Sequence, residues 1–262
     1  MPRINIPSIE SINRELKLRE LEGDLFSYLC WVFEVIYKRP FTINWHHKVL
    51  CNILTDIYEG RLLHTIITIP PRYSKSEIIV KIFISWCYAK NPACEFIHLA
   101  YSDDLALANS SAIKSILESV EFQELWPTPL QKDSTKPEDS NSDTVRNSIN
   151  NRFPQTIKSR LNDRKTPMII IMQRLHEDDP VGFLLGGGTE LEFTHINLPA
   201  LNEDGPSKYD SRQVGEPLWD FKHTSEELEL MRVSSAMTFA GQYQQRPAPK
   251  EGNIFKKFKY YK

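Results

Sequence analysis

The stretch HTIITIPPRYSKSE, residues 64–77, decides how this chain is read. Thr65 to Ile69 are all β-branched, the composition of a strand covered on both faces. PPRYSKSE follows with no spacer, and EIIVKIFISWCYA (77–89), apolar nearly all round, fits a helix held between layers. A strand that turns directly into a helix aims backbone N–H groups and the positive helix end at one spot, which suits a phosphate. Lys75 and Ser76 stand where a lysine neutralises terminal phosphate oxygens and a hydroxyl ligates Mg²⁺. Against the pattern GxxxxGK[ST], however, Ile69 occupies the first glycine and Ser74 the second. On pattern alone, Lys-Ser before a helix reads first as a surface helix N-terminus and second as a phosphate site.

Working outward, residues 1 to about 60 carry apolar side chains at helical spacing, broken by Pro40 and resumed from Asn44 as an N-cap. EFIHLA (95–100) is expected to be a second strand, with Ser102 capping the helix after it. MIIIM (168–172) and LEFTHINL (191–198) are expected as a third and fourth. Strands separated by helices give an α/β fold with a parallel sheet flanked by helices. Between Trp126 and Met168 no strand is visible. Thr224 to Glu227 forms a capping box, and a helix from about Ser235 ends before Pro247.

Composition bounds the function. A chain of 262 residues with 40% hydrophobic and 25% charged residues and a net charge of −2 is neither disordered nor uniformly basic, so any polyanion must meet a local patch. Cys30, Cys51, Cys87 and Cys94 lack CxxC spacing and sit in apolar runs, as reduced buried thiols in the cytoplasm would. No apolar run is long enough for a membrane helix, and the N-terminus lacks the apolar core of a secretory signal.

PPRYSKSE resembles the PPR-x-GKSE phosphate loop of the large terminase subunit of tailed phages, the ATPase that drives DNA into the procapsid. Further segments follow in that family's order: NWHHKVLCNIL, FIHLAYSDDLALANS, PEDSNSDTVRNSINNRFPQTIKSRLND with MIIIMQRLHEDDPVGFLL, LPALNEDG and TFAGQYQQRPAPKEGNIFK. The likeness spans roughly residues 40 to 256. It implies a helical segment over 1–40, a P-loop ATPase-like domain over 41–250, and at 251–262 the start of a linker to a nuclease domain that this sequence lacks. It implies ATP and Mg²⁺ as cofactors, with Pro70, Pro71, Arg72, Tyr73, Ser74, Lys75, Ser76 and Glu77 cradling the nucleotide and Ser76 on the metal. Lys75 and Arg72 would stabilise the transferring phosphoryl group, Trp45 and His46 would line the adenine pocket, and Gln173 and Arg174 would sense the γ-phosphate. Double-stranded DNA, a portal protein and a small terminase subunit are the implied partners, in a bacterial cytoplasm and without membrane contact.

Two departures limit that inheritance. Ser74 puts a Cβ where the family has glycine, at a cost if the loop needs positive φ. The family's strand ending in paired acids has no visible counterpart, as though an internal piece were deleted. Asp103 and Asp104 do not replace it, since both suit the first turn of a helix. Asp179 and Pro180 read as an N-cap and first helical residue, which leaves His176, Asp178 and Asp179 a poor metal set. Arg246 reads as a helix-end charge, and Lys256, Lys257 and Lys259 as a solvated terminal face. A prophage remnant that binds nucleotide weakly and without turnover is therefore expected ahead of a working packaging ATPase, and a non-enzymatic DNA- or subunit-binding module is the third reading.

Overall fold

Three parallel strands form the only sheet among the described residues of the computed structural model: β1 (His64–Thr68), β2 (Met168–Met172) and β3 (Thr194–Asn197). The structure describes residues 8–98, 100, 102–129, 163 and 165–247. Strand order is β2-β1-β3, so the β-branched run at 64–68 is central, as its uninterrupted apolar character requires. His64 pairs with Met168 and Thr68 with Met172 on one side, and Thr65 with Thr194 and Thr68 with Asn197 on the other. The protein is thus a mixed α/β chain with a small parallel sheet.

The chain divides into two units, one drawn from residues 1–58 and 76–142, the other from 59–75 and 143–262. The described part of the first is helical. It contains α1 (Ile9–Gly23) and α2 (Leu25–Trp31), which widens into a π-helical turn over Val32–Ile36. α3 (Trp45–Tyr58) follows, then a π-helical turn over Glu77–Ile82 running into α4 (Phe83–Lys90), α5 (Asp103–Leu117) and α6 (Val120–Leu125). Ser8, Asp24 and Ser119 cap α1, α2 and α6, and Ser102 caps α5 as the sequence suggests. The first 40 residues do not stand apart from the rest of this unit. Trp86 Nε1 donates to the Leu21 carbonyl at 2.8 Å, the Lys90 ammonium to the Glu22 carbonyl at 3.0 Å, and the Tyr28 hydroxyl to Ser85 at 3.1 Å. These bonds tie α1 and α2 to α4 within the first unit.

The second unit holds the sheet, with α7 (Pro180–Leu185), α8 (Ser225–Ser234) and α9 (Ala236–Thr238), the last passing into a π-helical turn over Phe239–Tyr243. Val181 and Leu184 of α7 cover the sheet face carrying Ile66 and Met168, joined by Ile170, Met172, Phe183, Leu191 and Phe193. A second cluster joins Ala200 and Leu201 to Leu228 of α8 and to Phe239. Both expected caps form here: Asp179 accepts from Gly182 N–H at 2.9 Å, and Thr224 and Glu227 make a reciprocal capping box.

One strand expectation fails. Glu95 to His98 and Ala100 enter no ladder, and Phe96 and Ile97 are exposed at 38% and 61%. β-propensity expresses the fit of a side chain to a half-buried pleated surface, and no described strand supplies that surface to this segment. The expected strand at 191–198 shortens to four residues, because Leu191 and Phe193 turn instead onto the α7 cluster. The stretches 131–143 and 144–161 and the lysines at 256, 257 and 259 lie outside the described residues. No helix among the described residues is long and apolar enough to cross a membrane.

Candidate phosphate-binding loop

Residues 69–75 leave the C-terminal end of the central strand, the edge where open parallel sheets place ligand chemistry. The stem is fixed on both sides: Ile69 N–H donates to the Met172 carbonyl at 3.4 Å and Leu198 N–H to the Thr68 carbonyl at 2.9 Å. The Thr68 hydroxyl donates to Asn197 Oδ1 at 2.9 Å and also lies 2.9 Å from His195 Nε2. With its proton spent on Asn197, Thr68 accepts from His195, which assigns the imidazole proton to Nε2. Burial and the nearby Arg174 charge push the His195 pKa down, in keeping with a neutral ring.

Beyond the stem the backbone alternates in hand. Arg72 has φ 68° and Ser74 φ 62°, whereas Tyr73 and Lys75 keep negative φ and Pro71 is held negative by its ring. Successive residues of opposite hand swing their N–H groups toward a common concavity, an arrangement suited to an anion. For residues with a Cβ the left-handed region costs roughly 1–2 kcal/mol each. Tyr73, between them, is wholly buried, and enclosing its ring offsets part of that strain.

Lys75 closes the loop on itself. Its half-buried ammonium donates to the Pro70 carbonyl at 3.2 Å, and no carboxylate of the described residues pairs with it. Burial pulls its pKa down to about 8. Arg72 is exposed. Ser76 and Glu77 follow where the chain re-enters the helical unit, and the Glu77 carboxylate pairs with Lys81 at 2.6 Å.

The remaining residues singled out by sequence lie in different settings. In the helical unit His46 and His47 are fully buried with ring centroids 4.0 Å apart, and Trp45 is half-buried, 6.1 Å from His46. Asn44 N–H donates to His47 Nδ1 at 3.0 Å, and burial pulls the His47 pKa down to about 4. In the sheet unit Gln173 is half-buried just past β2, and Arg174 is buried in a closed network. Arg174 Nε donates to Asp179 Oδ2 at 2.8 Å, and Nη2 donates to the carbonyls of His176 and Glu177 at 3.3 and 3.2 Å. Its backbone N–H donates to the Gln245 side chain at 2.9 Å. Asp179 also accepts from Leu175 N–H at 3.1 Å, so the N-cap recognised in the sequence doubles as the partner of a buried cation.

Sequence reasoning missed the elements that hold this unit's loops. Gln244 exchanges two 3.0 Å hydrogen bonds with the Leu201 backbone, standing in for a strand neighbour. Arg212 pairs with Asp210 at 2.6 Å and donates to the carbonyls of Pro199, Ala200 and Glu216. Polar residues in a loop-rich stretch carry no periodicity, so no sequence signal marked them. Gly182 is demanded by close approach, since a Cβ there would lie 1.7 Å from the Glu177 carbonyl oxygen.

As a donor set, the loop offers the Lys75 ammonium beside a backbone of alternating hand, a combination that suits a phosphate. Among the described residues no group of three or more His, Cys, Asp or Glu is placed to hold a metal, and the residues after β2 and β3 are Gln173 and Arg174, and Leu198 and Pro199. Comparison of the chain with protein-family models and with curated proteins found no match to either.

Proposed function

We propose that the loop Pro70–Lys75 binds the phosphate tail of a nucleoside triphosphate, and that the chain is related to the ATPase part of the large terminase subunit of tailed phages. The observation that carries the binding reading is the alternation of backbone hand at Arg72 and Ser74 beside a half-buried lysine without a carboxylate partner. A buried cation without a counter-charge is costly, and a polyphosphate supplies that charge together with acceptors for the loop N–H groups. The order of motifs supplies the identity of the ligand as ATP, with Mg²⁺ reached through Ser76. It also supplies double-stranded DNA, a portal protein and a small terminase subunit as partners in a bacterial cytoplasm.

Binding without hydrolysis is the form of this reading that the residues favour. Turnover needs a carboxylate to activate water and to complete the metal shell, and past β2 the Asp179 carboxylate is already spent on Arg174, Leu175 and Gly182. A packaging ATPase that takes this acid from elsewhere, and a DNA- or subunit-binding module indifferent to nucleotide, are separated from it by one experiment. ATP binding and ATP turnover are measured with Mg²⁺, with and without DNA, for the wild type and Lys75→Ala. Binding lost in the variant, with no turnover in either protein, supports the proposal. Turnover abolished by Lys75→Ala supports a working ATPase, and DNA binding without any nucleotide binding supports the module.

A further inference from the structure

The hand alternation of the loop is imposed by residues that contain a Cβ, so something outside the strand, turn and helix must hold it. Tyr73 is the residue between the two left-handed positions, and it is fully buried while Arg72 beside it is exposed. Its ring centroid lies 6.2 Å from Trp219, edge-on at 64°, and 6.2 Å from His223. His223 lies 6.1 Å from Tyr243, which stacks on Phe239 at 5.9 Å and 8°.

The far end of this contact is itself rigid. Leu218 N–H donates to the Ala200 carbonyl at 2.6 Å and Asn202 N–H to the Glu216 carbonyl at 3.0 Å, so the segment bearing Trp219 is paired with the chain leaving β3. Arg212 straps the same segments by donating to the carbonyls of Pro199 and Glu216 at 2.8 and 2.9 Å. Lys222 and His223 N–H groups both return to the Trp219 carbonyl, fixing the turn that presents the two rings.

We propose that Tyr73 is a positioning residue whose anchorage against Trp219 and His223 holds Arg72 and Ser74 left-handed and keeps the loop N–H groups aimed at an anion. The geometry stands by itself, but its consequence for binding rests on the anion-binding reading above. A glycine-rich loop adopts such a path without steric cost; here Ser74 stands in the glycine's place and the buried aromatic beside it supplies the restraint.

Trypsin cleavage after the exposed Arg72, scored relative to cleavage after Arg61 in the same unit, reports release of the loop. General destabilisation raises both cuts together, whereas loss of the anchor raises the first alone. Tripolyphosphate affinity by calorimetry is the second readout. Tyr73→Ala should raise the Arg72/Arg61 cleavage ratio and weaken tripolyphosphate binding, each by about tenfold, while Tyr73→Phe stays within about twofold of the wild type. Trp219→Ala, outside the loop, should reproduce both changes, and it decides the matter if Tyr73→Ala fails to fold. An unchanged cleavage ratio in the variants overturns the proposal, as does undiminished affinity in a variant whose ratio has risen. If the wild type binds no tripolyphosphate, the anion reading falls, and the cleavage ratio alone decides whether Tyr73 anchors the loop.

Discussion

Two turns leave the C-terminal edge of one sheet, after β1 and after β2, and they are built on opposite terms. The turn after β2 is closed: Arg174 spends its Nε and Nη2 donors on Asp179 and two carbonyls, and Asp179 spends both oxygens on Arg174, Leu175 and Gly182. The turn after β1 is open, with two left-handed side-chain-bearing residues and a half-buried lysine that finds only the Pro70 carbonyl. A closed network contributes stability and leaves little to offer a ligand. An open one carries strain and unmet charge, the pattern expected where a ligand completes the structure. The terminase resemblance assigns function to both turns; the physical contrast favours the first.

A graded series of substitutions tests this contrast. The largest effect belongs to the closed turn. Arg174→Ala should destabilise the protein by about 3–5 kcal/mol, because Asp179 is left buried without its counter-charge. Denaturant unfolding measures this, and a change below about 1 kcal/mol would mean the network is not closed in solution. Gly182→Ala should cost at least about 1–3 kcal/mol by the same assay, because the new methyl meets backbone rather than a yielding side chain. In the open turn Ser74→Gly should stabilise by about 1 kcal/mol, since glycine removes the left-handed penalty. Lys75→Met should leave stability within about 1 kcal/mol of the wild type or raise it, the reverse of Arg174→Ala.

Proton linkage tests the open turn as well. Lys75 has its folded pKa lowered to about 8 from an ordinary 10.5, so its burial penalty is fully present below pH 8 and is relieved as pH rises toward 10.5. An anion binds the ammonium form. Affinity for tripolyphosphate should therefore be level below about pH 7 and fall above pH 8, by up to about tenfold per unit. Calorimetry across pH 6.5 to 9.5 checks this, and a flat profile would place the anion away from Lys75.

The central strand was legible because Thr65 to Ile69 leave no alternative pattern, and Thr224 with Glu227 announced a helix start through local chemistry that needs no tertiary contact. The position of Lys75 in the turn after that strand followed from the same pattern. EFIHLA misled, since four apolar or aromatic residues in six have strand propensity but pairing depends on a neighbour far away in sequence. Tyr73 was invisible as an anchor for the same reason: its partners Trp219 and His223 lie some 150 residues on, within a stretch without periodicity. Ser74 was read from sequence as a defect in a glycine position. In the structure it adopts the left-handed path that glycine would take, at φ 62°.

Titration of tripolyphosphate into the wild type and Lys75→Met at pH 7 tests the central claim most directly. Saturable binding by the wild type, lost in a variant that remains folded and equally stable, is the predicted result. Equal binding by both proteins, or no binding by either, would contradict the assignment of this loop as an anion site.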